Sequence, residues 1–143
     1  MKPAEVLKKI QDEEIKYVDV RFTDMRGKMQ HVTFDIDLVD EDFLTDGTMF
    51  DGSSIAGWKA INESDMKLRP DLSTAAIDPF YQQTTLCLTC DVLNPDTNTP
   101  YNRDPRSIAK KALAYTAASG VGDTVFFGPE AEFFIFDLSL IHI

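Results

Sequence analysis

Apolar and polar positions along the first part of the chain follow one helical and then two strand-like patterns. Pro3 is suited to the first turn of a helix, and the apolar residues after it recur at helical spacing, which predicts an amphipathic helix over residues 3–14 that packs on a sheet. Apolar and polar side chains then alternate over residues 17–22 and 28–34, as is typical of strands with one buried face. Residues 24–27 between them predict a hairpin turn.

The middle of the chain combines short elements with a long polar segment. A second short helix is predicted over residues 39–46, with Gly47 in the position of a glycine that ends a helix. Residues 49–65 are rich in small and polar side chains and predict a long loop, a kind of segment that often carries function. Strand-like patterns return over residues 66–69, 75–77 and 84–92.

A polar, proline-containing stretch divides the chain. Residues 94–103 predict a linker and a domain boundary. Asp104 and Pro105 fit the N-cap and the first position of a helix that runs to about Ser119 and ends at Gly120. Two further strands are predicted, over residues 124–127 and 132–136.

Charge and composition narrow the classes of function. The 143 residues include 14 Lys and Arg against 24 Asp and Glu, a formal net charge of −10. A net-acidic chain without clustered basic residues is a poor binder of polyanions, so we expect neither nucleic acid nor a membrane surface as a partner. The first residues lack the apolar region of a signal peptide, and no apolar run reaches the ~18 residues that a membrane span needs. The sequence therefore predicts a cytoplasmic globular protein.

The cysteines and histidines give little sign of chemistry. Cys87 and Cys90 form a C-x-x-C, but residues three apart on a strand face opposite sides of the sheet, so the two sulfurs should diverge and be inert. His31 and His142 have no neighbouring Cys or His in sequence and are interpreted as structural or exposed. The glycine-rich loops of P-loop and Rossmann nucleotide sites are absent from the sequence.

Two glutamates close to the end of the chain form the most informative motif. Glu130 and Glu132 precede a run of apolar residues, and on a strand they would point to the same face with Cα atoms roughly 6.6 Å apart. Like charges leading into a buried strand are costly unless a cation neutralises them, and carboxylate oxygens suit Mg²⁺ or Mn²⁺. The alternative is a solvated strand edge at which both glutamates face water.

A second candidate lies in the predicted loop. Asp51 is followed by Gly52, Ser53 and Ser54, which place a carboxylate and two hydroxyls where the backbone can approach a ligand closely. Such a group can hold a small cation such as ammonium or take a proton from it. The alternative is a turn in which Asp51 bonds its own backbone. Trp58, the only tryptophan, is interpreted as a core or interface residue.

Taken together, these motifs closely resemble the amino-terminal part of the bacterial type I glutamine synthetases, in order from about residue 5 to about residue 137. The segments that carry the resemblance are residues 21–24, 49–55, 62–66, 104–106 and 127–134. The resemblance implies an α+β fold, with a β-grasp domain over residues 1–103 and the start of a catalytic domain over residues 104–143.

The resemblance also implies a function and a set of partners. It implies an ATP-dependent glutamate–ammonia ligase, in which ATP phosphorylates the γ-carboxylate of glutamate and ammonia displaces the phosphate. Glu132 would bind the glutamate-side Mg²⁺ or Mn²⁺ ion and Glu130 the nucleotide-side ion. Asp51, with Ser54 beside it, would bind and deprotonate ammonium in the active site of the adjacent identical subunit. The family assembles as a ring, here expected to be a dodecamer.

Two departures from the family pattern limit these expectations. The remaining metal ligands, the ATP pocket and the glutamate-binding arginine expected in the family are missing, so the chain alone is expected to be inactive. Residues 138–143 do not resemble the family's continuation, and His142 is not assigned as a ligand. Two alternatives remain open: a non-catalytic β-grasp interaction module, and a related γ-glutamyl ligase that uses another amine.

Overall fold

The computed structural model describes residues 1–136 of the chain. They fall into two compact units, one that spans Met1–Ala112 and one that begins at Leu113. The helices and strands are α1 (Pro3–Asp12), β1 (Tyr17–Thr23), β2 (Met29–Asp35), α2 (Glu41–Thr45), β3 (Thr48–Asp51), β4 (Asp65–Pro70), β5 (Ala76–Ile77), β6 (Thr85–Leu93) and α3 (Pro105–Ser119).

The strands form one mixed sheet in the order β2-β1-β6-β4-β3, with β5 also paired to β6. The central strands β1 and β6 run parallel, with Val20 opposite Leu88, whereas all the other pairs are antiparallel. A parallel pair requires a long crossover, and here α2, β3, β4 and β5 all lie in the chain between β2 and β6. The result is the predicted α+β architecture.

One face of the sheet forms the core. The alternation predicted for the first strand is confirmed, because Val18, Val20 and Phe22 are buried. Helix α1 adds Val6 and Ile10 to the same cluster, which confirms the predicted amphipathic helix and its packing on the sheet.

The opposite face of β1 carries a network of charged groups around a fully buried carboxylate. Asp19 accepts hydrogen bonds from Arg21 Nε at 2.7 Å and Thr33 Oγ1 at 2.7 Å, and His31 Nδ1 lies 2.8 Å from its Oδ1. Arg21 also donates to Asp78 at 2.6 Å. Burial alone would raise the pKa of Asp19, but the hydrogen bonds from Arg21, His31 and Thr33 outweigh burial and lower it. The expectation of a structural or exposed His31 agrees with this position on the network's rim.

The start of α3 is fixed to β6. Asp104 caps the helix, because its carboxylate accepts from the backbone N–H of Ser107 at 3.1 Å and from the Ser107 hydroxyl at 2.6 Å. Arg106 and Lys110 donate to Asp91 of β6 at 2.9 and 2.6 Å. The predicted helix and its N-cap are therefore confirmed.

Three sequence predictions are wrong. The segment predicted as one long loop over residues 49–65 begins as a strand, because Met49, Phe50 and Asp51 pair with β4. The strands predicted over residues 124–127 and 132–136 are absent, and both segments lack regular secondary structure. A strand forms only where a neighbour accepts and donates its backbone hydrogen bonds, and these segments pair with no other described residue.

Candidate functional site

Asp51 lies at the end of β3 and is held in a tight turn. Its Oδ1 accepts from the backbone N–H of Ser53 at 2.8 Å and from the Ser53 hydroxyl at 2.6 Å. The Ser54 hydroxyl lies 3.5 Å from the other oxygen, Oδ2. The structure thus brings Asp51 and Ser54 together, and it also shows the local turn that the sequence left as an alternative.

The turn leaves Asp51 suited to a cationic ligand. The side-chain and backbone hydrogen bonds from Ser53 lower the pKa of the exposed carboxyl, so it is ionised at neutral pH. Asp65 is the cross-strand partner of Asp51, and such partners lie on the same face of a sheet. Oδ2 has a long 3.5 Å contact with the Ser54 hydroxyl and, as an exposed carboxylate oxygen, can accept a hydrogen bond from an ammonium-sized donor.

The loop after Asp51 is closed at its base. Gly52 donates its backbone N–H to the carbonyl of Ser64 at 2.7 Å. A Cβ at Gly52 would lie 2.4 Å from Met66 Cγ and 3.1 Å from the Ser64 carbonyl oxygen. A side chain at this position would therefore force the buried Met66 side chain to move and would crowd the Ser64 carbonyl.

Trp58 anchors the tip of the same loop in the core. Only 4% of the residue is exposed, and its ring centroid lies 5.5 Å from that of Phe22, 6.3 Å from that of Phe50 and 5.4 Å from that of Tyr101. The prediction that Trp58 is a core or interface residue agrees with this burial. Among the described residues, no acceptor lies within hydrogen-bond distance of its indole N–H.

Two residues that the sequence reasoning missed hold the loop tip. The Tyr101 hydroxyl donates to the carbonyl of Trp58 at 2.8 Å. The guanidinium of Arg103 donates to the carbonyls of Gly57 and, at 3.3 Å, of Trp58. Both lie in the segment predicted as a linker, and a tyrosine within an otherwise polar linker was the available signal, since a tyrosine tends to be buried with its hydroxyl paired.

The carboxylates predicted to bind metal belong to the second compact unit. Glu130 and Glu132 are exposed and lie in the segment that has no regular secondary structure, so the expected strand does not align them. Among residues 1–136 no three His, Cys, Asp or Glu side chains lie close enough together to hold a metal ion. The two carboxylates are nevertheless hard oxygen donors, the chemistry that Mg²⁺ and Mn²⁺ require.

The cysteines have separate environments. Cys87 is partly buried near Asp78, whereas Cys90 is fully buried, and both are free thiols. Desolvation raises the pKa of Cys87 to about 11 and that of Cys90 to about 12. A thiol is nucleophilic only as the thiolate, so neither group is activated at neutral pH.

Comparison with known proteins defines the class. The family described as glutamine synthetase, beta-Grasp domain, matches residues 14–95, and the family described as glutamine synthetase, catalytic domain, matches residues 102–141. The structure of Plasmodium falciparum glutamine synthetase has the same fold, with a TM-score of 0.74 and 24% identity over 84% of this chain and 23% of that one. These matches define a β-grasp domain followed by a segment of a catalytic domain.

Curated relatives agree over nearly the whole chain. It is 69% identical over 138 residues to the glutamine synthetase of Azorhizobium caulinodans and equally to that of Bradyrhizobium diazoefficiens. The chain belongs to the glutamine synthetase family. The matches cover 96% of this chain but only 29% of each relative. No helix in the described part of the chain is both long and apolar enough to cross a membrane.

Proposed function

We propose that this chain is the amino-terminal part of an ATP-dependent glutamate–ammonia ligase. The observation that carries the proposal is the 69% identity to named glutamine synthetases across 96% of the chain. In this proposal ATP phosphorylates the γ-carboxylate of glutamate, and ammonia then displaces phosphate to give glutamine. The chain spans 29% of the length of these relatives, and by itself it is proposed to be inactive.

The proposal extends to the organisation of the complete protein. Residues 1–103 are assigned to the β-grasp domain and residues 104–143 to the start of the catalytic domain. The complete protein is proposed to act in the cytoplasm as a ring of identical subunits, a dodecamer, in which the β-grasp loop completes a neighbour's active site. The closed base of that loop at Gly52 and the buried Trp58 support this role, because both hold the loop in one conformation.

Asp51 and Ser54 are proposed to bind ammonium. The lowered pKa of Asp51 keeps its carboxylate ionised, so that it can pair with NH₄⁺. The same carboxylate is assigned as the acceptor of the proton that the bound ammonium loses. The Ser54 hydroxyl near Oδ2 offers a second oxygen at the same point. Removal of one proton converts ammonium to ammonia, the nucleophile that the second step requires.

Glu130 and Glu132 are proposed to bind two divalent cations, Mg²⁺ or Mn²⁺. When bound, such ions neutralise the charge on the oxygens of a transferred phosphoryl group. Glu132 is assigned to the glutamate-side ion and Glu130 to the nucleotide-side ion. Support comes from the all-oxygen donor set and from their exposure to incoming ligands.

Phosphate release by the full-length enzyme tests this proposal. We expect phosphate release that depends on ATP, glutamate and ammonium together, and we expect Glu132→Gln to abolish it. Glu41→Gln, a matched change at an exposed position of α2, should leave the rate unchanged.

The outcomes separate the parts of the proposal. Activity that survives Glu132→Gln would overturn the metal assignment. Release that requires a different amine would indicate a related γ-glutamyl ligase, and the absence of any ATP-dependent release would favour a non-catalytic β-grasp module.

A further inference from the structure

We propose that Tyr101 and Arg103 are positioning residues that fix the loop of residues 52–64, and through it set the affinity of the Asp51 site for ammonium. The inference rests on the proposed function. Neither residue contacts Asp51, so their effect passes through the loop.

The tip of the loop is hydrogen-bonded to the linker. Two donors from the linker converge on adjacent carbonyls: the Tyr101 hydroxyl on Trp58, and the Arg103 guanidinium on Gly57 and Trp58. Gly57 has a φ of +82°, a conformation that glycine adopts readily. The backbone N–H of Trp58 donates to the Ile55 carbonyl at 3.1 Å and closes the turn. The two side-chain donors add contacts that fix the tip of the turn to the linker.

Tyr101 is rigidly placed. The backbone N–H of Tyr101 donates to Val92 of β6 at 2.9 Å, and its carbonyl accepts from Asp104 at 3.2 Å. Tyr101 is 5% exposed, and its ring packs against Trp58. The linker is therefore fixed to the sheet on one side and to the helix cap on the other, and the loop tip is held by a stable support.

Packing connects the tip to Asp51. The indole of Trp58 contacts the ring of Phe50, the residue immediately before Asp51. The hydrogen bond from Gly52 to Ser64 closes the loop on the other side of Asp51. A shift of Trp58 would displace Phe50, and with it the carboxylate of the next residue, Asp51.

Steady-state kinetics of the full-length enzyme test the inference. Tyr101→Phe removes one buried hydrogen bond and keeps the ring, and we expect the KM for ammonium to rise about 3- to 10-fold, the range that corresponds to the net contribution of one such bond. The kcat and the KM for ATP should change by less than about twofold, since the reacting groups are untouched. Tyr81→Phe, the same change at a half-exposed tyrosine, is the matched control.

Arg103 provides an independent variant. Arg103→Met removes the donors and should raise the KM for ammonium, while Arg103→Lys keeps one donor and should restore part of the affinity. The double variant Tyr101→Phe with Arg103→Met should exceed either single variant, because the Trp58 carbonyl then has lost both donors.

An unchanged KM for ammonium in Tyr101→Phe and Arg103→Met would overturn the inference, even if both variants melt at lower temperature, because that result indicates a purely structural role. The ammonium assignment is checked separately with Asp51→Asn. If Asp51→Asn leaves the KM for ammonium unchanged, the proposed role of Asp51 in binding ammonium is wrong. If Asp51→Asn raises this KM but the Tyr101 and Arg103 variants do not, only the positioning inference is wrong.

Discussion

Both compact units contain apolar segments, but these segments are buried in the first unit and exposed in the second. In the unit Met1–Ala112, strand β6 buries its apolar side chains, and Leu88 is 0% exposed. In the second unit, residues 132–136 are equally apolar, yet Phe134 is 86% exposed. Aromatic side chains in the second unit are therefore largely in contact with solvent.

The difference lies in the neighbours of each segment. Strand β6 pairs with β1, β4 and β5, and its apolar side chains lie in the same buried cluster as Val6 and Ile10 of α1. Residues 124–136 have no strand beside them among the described residues. An apolar, alternating pattern predicts that a segment can be a strand, but only distant parts of a chain decide whether it becomes one.

The largest expected effect tests this contrast directly. Leu88→Ala should destabilise the chain by about 2–5 kcal/mol, because it leaves a cavity in a packed core. Phe134→Ala should change the stability by less than about 0.5 kcal/mol, as is usual for an exposed position. Urea unfolding followed by circular dichroism measures both values. Equal losses for the two variants would show that residues 132–136 pack against the rest of the chain in solution.

Local patterns account for the elements that sequence reasoning predicted. Helix α1, the β1–β2 hairpin and the Asp104 cap each depend on residues less than about twenty positions apart, where helical or strand periodicity and capping rules apply. Strand β3 was missed because its four residues, Thr48–Asp51, merge into a polar loop and are recognisable only from their pairing with β4.

The candidate site likewise contains residues that are close in sequence and could be predicted, and residues that are distant in sequence and could not. Asp51 and Ser54 were predicted because they are neighbours in sequence with a recognisable turn chemistry. The supports of the loop were not, since Tyr101 reaches Trp58 across 43 positions. The orientation of Glu130 and Glu132 depends on strands that would flank them, and the sequence of these two residues contains no information on such partners.

A smaller effect is expected on the polar face of the sheet. Asp19→Asn should cost about 1–3 kcal/mol, because Arg21 and Thr33 lose a charged acceptor that is itself fully buried. Arg21 keeps its contact to Asp78, which limits the loss. Asp37→Asn, at an exposed position, is the control in the same urea assay. A loss at Asp19 no greater than that at Asp37 would show that the network contributes nothing to folding.

The smallest effect is the response of the first unit to acid. Hydrogen bonds to the carboxylates lower the pKa of Asp19, of Asp71 and of Asp78 below the ordinary value for an aspartic acid. As the pH falls, the unfolded chain therefore takes up protons before the folded chain does. In the pH range where the unfolded chain holds more protons, the free energy of unfolding decreases as the pH falls. These contributions are complete above about pH 5 and are lost progressively as the pH falls below the unfolded pKa of about 4.

The measurement is the urea midpoint at pH 7, 5, 4 and 3. We expect little change between pH 7 and 5 from these three groups and a decline below pH 4. In Asp19→Asn the decline should be shallower, because one carboxyl group with a lowered pKa is gone while the contacts of Asp71 and Asp78 remain. A decline of the same steepness in the variant would mean that Asp19 does not titrate differently in the folded chain, and that the acid sensitivity arises from other carboxylates.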